Sequence, residues 1–261
     1  MSDVPSPDRP TLLNAATLSG ASHRPVRAVT YIRKWEHADS EPALLMCDDG
    51  RAYVVKSFRV HGVSNGRVII NEQIVGRLGA KLGAPVGEVG FVDIPDELIA
   101  VEPDLAHLST GIAHGSLWIP DCTDREGLQY TTTAANRMRF ALLAILYTWV
   151  GAKDQQFIYR KNVPPLVYLV DHGHFFPRGP YWTITSLRVD PLAELDPTFA
   201  ACRFSRVELA RARGALEQIT YQAIAEAVAA PPDAWSISMQ ERIAMAEYVA
   251  RRHAELIGLL P

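Results

Sequence analysis

The apolar positions along the chain fall into two regimes. As far as about residue 120 they come in short runs of strand length; beyond it they gather into longer runs of helical length. Val26 to Ile32 suits a strand. After the polar stretch from Trp35 to Pro42, ALLMC and RAYVVKSF flank Asp48-Asp49-Gly50, and the Asp-Gly step supplies the positive φ of a tight hairpin turn. The loop HGVSNGR and a short strand lead to NEQIVGRLGAKLG. There Ile74, Leu78 and Leu82 recur every four residues, which predicts an amphipathic helix stopped at Gly83. APVGEVGFVDI and ELIAV read as two further strands. Residues 103–130 are dominated by Gly, Ser, Thr and His and read as a link. Its apolar piece SLWI would be the last strand of the first half, and Thr123-x-x-Glu126 a start signal for a short helix. His107 and His114 read as loop or surface histidines.

Thr131 to Val150 reads as a helix. After Met138 it is apolar almost all round, which predicts the buried centre of the second half. LVYLV, at 166–170, has strand length. Ser205-x-x-Glu208 and Ser238-x-x-Glu241 are capping boxes opening two long helices, with Pro231-Pro232 between them. Residues 1–25 read as a flexible N-terminal arm with one short helix near Leu12–Leu18. The expectation is an α+β chain. A lobe over 26–120 holds an antiparallel sheet with one helix, and a mainly helical lobe over 121–261 contains a candidate catalytic segment at 149–176.

Composition narrows the function class. Apolar residues make up 48% of the 261, enough for a substantial core. The 26 Lys plus Arg nearly balance the 29 Asp plus Glu, so no general attraction to nucleic acid or membrane is expected. The apolar run around Phe140–Val150 is shorter than the about 20 residues a bilayer needs, and MSDVPSPDRP lacks the features of a signal peptide. Cys47, Cys122 and Cys202 are scattered, with no metal-ligand or redox spacing. They fit a reduced, cytoplasmic protein with buried free thiols.

The chemistry gathers in WVGAKDQQFIYRKNVPPLVYLVDHGHFF, residues 149–176. An apolar helix delivers Asp154 into a polar turn, and a strand delivers Asp171 into His172-Gly173-His174. Either acid alone is ordinarily a cap or turn residue. Two of them joined by a hairpin-sized excursion suit phosphoryl transfer, where one acid aligns a hydroxyl and the other holds magnesium. Lys56 ends Tyr53-Val54-Val55 and by alternation shares a face with Val54. It is either an edge-strand lysine facing water or an ammonium paired with an acid or a ligand. Glu72 falls in the first turn of its helix, where it suits the dipole and is also able to pair with Lys56 across the sheet. The His172/His174 pair offers a transition-metal alternative without an evident third ligand. A serine nucleophile has no Gly-x-Ser-x-Gly to sit in.

In order, Val54-Val55-Lys56, Asn71-Glu72 with LGAPVGEV, Gly111–Ser116, Trp149–Asp154 and Leu169–Phe175 resemble the HipA-like kinase domain family, compact relatives of the HipA toxin kinase, over about residues 28–220. The resemblance implies a two-lobed protein-kinase-like fold and an ATP- and Mg²⁺-dependent Ser/Thr protein kinase acting on a protein substrate. By that resemblance Lys56 contacts the phosphates, Glu72 positions it, Asp154 is the catalytic acid, Asp171 binds magnesium, and Trp118 with its flank lies near the adenine. The family reads Gly-Asn-x-Asp-Arg-His-x-x-Asn around the catalytic Asp. Here Ala152 and Gln155 replace the first Asn and the Arg. The second metal position falls on Tyr159, or on Gln156 if a short deletion is allowed. Trp35–Pro42 contains no glycine, so there is no standard glycine-rich phosphate loop. These departures favour one alternative, a pseudokinase that binds nucleotide or a partner protein without transfer; another, adenylyl transfer from the same cleft, is not separated from phosphotransfer by the sequence.

Overall fold

The computed structural model of the protein describes residues 24–35, 41–58, 66–124, 127–161, 163–191 and 194–261. The expected N-terminal arm up to residue 23, with its short helix, lies outside them, as do most of the Trp35–Pro42 stretch and Glu126.

Five strands close into a barrel in the order β1-β2-β3-β5-β4. They are β1 (Val26–Lys34), β2 (Ala43–Cys47), β3 (Ala52–Lys56), β4 (Val89–Ile94) and β5 (Gly111–Leu117). The meander β1-β2-β3 and the pairs β3-β5 and β4-β5 are antiparallel, as the sequence suggests. Closure is a parallel contact, Val26 opposite Val92 and Arg27 opposite Asp93, so the sheet is a barrel and not an open antiparallel layer. Its interior is filled by residues of alternate positions, among them Leu45, Tyr53, Val55, Val92, Ile94 and Ala113. Val54 and Lys56 are left on the other face.

Three readings of this half are corrected. ELIAV is not a strand but the short helix α2 (Asp96–Val101). A four-residue apolar run, Leu98–Val101, does not separate the two by periodicity, and Pro95 followed by Asp96-Glu97 is a favourable helix start. Residues 111–117, read mostly as link, form β5 between β3 and β4, their glycines and histidine masking the strand signal. The presumed strand before the long helix is part of it. Helix α1 (Gly66–Leu82) includes Val68, Ile69 and Ile70, all buried, and this burial outweighs their β preference. Glu72 therefore lies in the second turn of α1, not the first.

The second half is mostly helical and surrounds α3 (Ala134–Val150), whose residues from Phe140 to Val150 are buried except Leu142. This central helix packs against α5 (Arg206–Glu217), α7 (Met239–Leu259) and α1. Between α3 and α5 lies the short α4 (Ile184–Val189). Both capping boxes form, Ser205 with Glu208 and Ser238 with Glu241. The expected long helix after Ser205 breaks at residues 218–220 into α5 and α6 (Tyr221–Ala229), with Thr220 capping the second piece. A small antiparallel sheet, β6 (Cys122–Asp124), β7 (Phe157–Arg160) and β8 (Leu166–Leu169), also belongs to this half. Thr123 thus stands in a strand, not at a helix start. No two of the cysteines are joined in a disulfide. Cys47 and Cys202 are buried and Cys122 is half-buried, and burial pushes the Cys47 thiol up to about 12 and that of Cys202 to about 11. Among the described residues no helix is long and apolar enough to cross a membrane.

Candidate active site

Lys56 enters from the end of β3, on the face that carries Val54 and directly across the ladder from His114 of β5. It is 6% exposed, so it is not a water-facing edge lysine. Its ammonium lies 2.6 Å from Glu72 Oε1 and 2.7 Å from Asp171 Oδ1. Three elements distant in sequence, β3, α1 and the segment after β8, thus meet on one charge.

The electrostatics of this cluster follow from its composition. Burial by itself lowers the Lys56 pKa, but the two carboxylates outweigh it and hold the ammonium above its ordinary value. Glu72 is buried too. Burial pushes its carboxyl up, yet Lys56 and the His172 contact hold it well below the usual range. Asp171 goes the other way: burial and the neighbouring Glu72 raise it, and the shared Lys56 only partly compensates. Two carboxylates against one ammonium leave the cluster one negative charge in excess when all three are ionised. A cation bound at Asp171 would relieve that excess.

The position of Asp171 is set by its neighbours on both sides. Phe157 pairs with Leu169, and the Val170 N–H donates to the Gln156 carbonyl at 3.1 Å, so β8 delivers Asp171 beside the start of β7. Asp171 then turns with φ 59°, a left-handed value that aspartate tolerates better than most residues. Next, the His172 N–H donates to Glu72 Oε2 at 2.9 Å. Asn71, fully buried on α1, donates from its amide to the Gly173 and Phe175 carbonyls at 2.8 and 3.1 Å and accepts from Trp182 Nε1 at 2.9 Å. A Cβ at Gly173 would come 2.5 Å from Val68 Cγ1, so only glycine allows α1 to lie this close to the segment.

Asp154 stands at the same end of the β7–β8 hairpin. Helix α3 stops at Gly151, whose φ is 69° and whose Cβ would meet the Tyr248 hydroxyl at 2.7 Å. The last carbonyls of α3 are held by buried Arg252 of α7, which donates to Trp149 O at 2.8 Å and to Thr148 O, while its Nη1 reaches Asp190 Oδ2 at 2.8 Å. Beyond this stop, half-buried Asp154 accepts from the Gln155 N–H at 2.7 Å and from Gln156 Nε2 at 3.2 Å. That second bond turns the Gln156 amide nitrogen to Asp154 and leaves its oxygen for another partner. Tyr159 is no part of this group: its buried hydroxyl accepts from the Gln129 N–H at 2.7 Å and donates to Gly127 O at 3.1 Å.

Of the sequence candidates, Lys56, Glu72 and Asp171 form one cluster and Asp154 and Gln156 a second group at the hairpin's end. Trp118 stands apart from both. Its N–H donates to Ala52 O at 2.9 Å, four residues up β3 from Lys56, and its ring lies 5.9 Å from that of Trp35 with the Arg33 guanidinium 5.2 Å from its centroid. On the Lys56 face, Leu44 and Val54 lie opposite each other in the ladder, a pair the sequence reading did not single out. The transition-metal alternative is not supported: among the described residues no group of three His, Cys, Asp or Glu is placed to hold a metal, His172 being buried and His174 exposed. His114 is likewise buried, not on a loop. The cavity lined by Phe58, Arg67, Trp182, Trp235 and Glu241 shares none of the candidate acids or Lys56.

The oxygens of Asp171 and Gln156 suit a hard divalent cation such as Mg²⁺, which takes few protein ligands and completes its shell with phosphate and water. With the negative excess of the cluster, the residues fit such an ion.

Among known structures, the proinflammatory kinase CtkA of Helicobacter pylori superposes with a TM-score of 0.60 at 11% identity, over 91% of this chain and 96% of its own. The Golgi casein kinase gives 0.45 at 11% identity, over 94% and 75%, and HipA of Shewanella oneidensis, solved with HipB and operator DNA, gives 0.44 at 15%, over 92% and 66%. No curated protein matches the chain. The likeness to CtkA shows a kinase-like mixed α and β fold. Residues 28–174, more than half of the chain, match the family model for HipA-like kinases, and the protein belongs to the HipA-like kinase family.

Proposed function

We propose that this protein is an ATP- and Mg²⁺-dependent phosphotransferase, a Ser/Thr protein kinase of HipA-like type. The observation that carries the reading is the buried Lys56 held between Glu72 and Asp171 at 2.6 and 2.7 Å. An ammonium fixed by one carboxylate and placed beside a second is what a phosphate–metal unit requires. Residues 26–120 would form a nucleotide-binding lobe and 121–261 a mainly helical lobe, with the cleft between them. Leu44 and Val54 would form the apolar surface for the base, with Trp118 at its edge. Lys56, kept in place by Glu72, would bind the phosphate oxygens. Asp171 and Gln156 would hold the metal, whose charge on the transferred phosphoryl group is its contribution when bound. Asp154, held by Gln155 and Gln156, would accept or align the proton of the acceptor hydroxyl. Most of the rate enhancement would then be positioning and electrostatics.

One observation favours a second reading. The residue proposed for the second metal position is Gln156, whose arm is longer than that of asparagine and whose amide nitrogen is engaged by Asp154. Such a site fits a pseudokinase that binds nucleotide without transferring phosphate. Calorimetry with ATP, with and without Mg²⁺, on wild type and Asp171→Asn, together with transfer from γ- and α-labelled ATP to a panel of hydroxyl-bearing proteins, separates the readings. Binding tightened by Mg²⁺ through Asp171, with γ-label transferred, is expected. Binding without transfer selects the nucleotide-binding pseudokinase, transfer of α-label selects adenylyl transfer, and no binding at millimolar ATP overturns all three and leaves a module that binds a partner protein.

A further inference from the structure

Behind the Lys56–Glu72 pair runs a string of buried polar groups that the proposed chemistry does not use. Glu72 Oε1 takes Lys56, and Oε2 accepts the His172 N–H. His114, 1% exposed, turns its Nε2 towards the same Oε2 from 4.0 Å. Its other ring nitrogen, Nδ1, lies 3.0 Å from Gln73 Nε2. The tautomer of an imidazole is set by the bond its far nitrogen makes, and two fixed groups decide that bond here. Arg77 Nε, which only donates, lies 3.1 Å from Gln73 Oε1. The Gly90 carbonyl, which only accepts, lies 2.6 Å from Gln73 Nε2. Both orient the amide with its NH₂ towards His114. Nδ1 therefore accepts, and the proton sits on Nε2, facing Glu72. Burial brings the pKa of the ring down to about 4, so at neutral pH it carries that single N–H.

We propose that His114 is a positioning residue for Glu72: Arg77 and Gln73 fix its tautomer, and its Nε2–H dipole adds to the His172 N–H bond in keeping Oε2 turned inward, so that Oε1 stays on Lys56. At 4.0 Å the contact is longer than a hydrogen bond and acts as an oriented dipole on a buried charge. The consequence for turnover rests on the phosphotransfer reading; the tautomer does not.

Two substitutions divide the roles of the ring. His114→Gln keeps a donor near the Nε2 position, towards Glu72. His114→Asn keeps an acceptor near the Nδ1 position, towards Gln73, and withdraws the donor. With steady-state transfer as the readout, Asn is expected to lower kcat about tenfold with a smaller change in the KM for ATP, as for loss of a modest interaction with a charged group, and Gln to restore most of that loss. A merely structural role reverses the order, and equal activity of Asn and wild type overturns the proposal. If wild type transfers nothing, the phosphotransfer reading has failed separately, and ¹⁵N spectra of the wild-type imidazoles decide the tautomer assignment. An Nε2–H tautomer for His114 supports it, and an Nδ1–H tautomer overturns it.

Discussion

Replacing Lys56 with Met keeps most of the length and the apolar stem of the side chain and removes its charge with its N–H donors. The Glu72 and Lys56 side chains are 3% and 7% exposed, so solvent compensates little for the loss. Breaking a buried pair from one side costs about 3–5 kcal/mol, because the remaining charge is stranded. For a chain somewhat longer than 250 residues, at about 2–4 °C per kcal/mol, that corresponds to a drop in Tm of roughly 6–20 °C at pH 7.5. The sign of the pH dependence is fixed by Glu72. In wild type its carboxyl lies well below its unfolded value, so it contributes stability above that value and loses it as pH falls through the depressed one. Without Lys56 the largest influence opposing burial is gone, only the contacts with His172 and His114 remain, and the folded pKa rises above the unfolded one. The penalty is then full at high pH and is relieved as pH falls, by about 1.4 kcal/mol for each unit of the new shift. Thermal melts of wild type and Lys56→Met at pH 7.5 and pH 5 should therefore show a gap that narrows on acidification. Lys56→Met with Glu72→Gln should recover much of the loss at pH 7.5. Melting of Lys56→Met within about 2 °C of wild type at pH 7.5, or a gap that does not narrow at pH 5, would refute the account.

Three further outcomes are expected. Asn71→Leu removes the donor to the Gly173 and Phe175 carbonyls and the acceptor for Trp182, so urea unfolding should show a loss of about 2–4 kcal/mol, with faster amide exchange in the His172–Phe176 segment. Arg252→Met leaves the last carbonyls of α3 and Asp190 without their buried partner and should cost about 3 kcal/mol or more; a melt unchanged from wild type would count against it. Because burial and Glu72 raise the Asp171 pKa, the metal role proposed for its carboxylate implies that calorimetric affinity for Mg²⁺-ATP weakens as pH falls through that raised value, with the loss setting in at lower pH in Glu72→Gln, where the neighbouring charge is gone.

What the sequence by itself determined were the features written in neighbouring residues. The Asp-Gly hairpin, the α1 periodicity, the all-round apolar α3 and the two capping boxes depend on spacings of a few positions, and each appears in the structure. Lys56, Glu72, Asp154 and Asp171 were legible as candidates because a lysine in an apolar strand and acids at the ends of buried elements are unusual, and because their order matches a family pattern. What only the tertiary structure decided was whatever depends on partners far away in the chain. The parallel closure of β1 on β4 joins residues more than 60 positions apart, and β5 is a strand because β3 and β4 flank it. The same holds at the site. Whether Lys56 faced water or an acid, and whether Glu72 merely suited a helix dipole, turned on the 16- and 115-residue separations that folding closes to less than 3 Å. The brace of Asn71, the Arg252 cap and the His114 tautomer left no local trace, since a buried polar side chain carries no periodic signal. Its identity is set by the unpaired groups that packing brings against it.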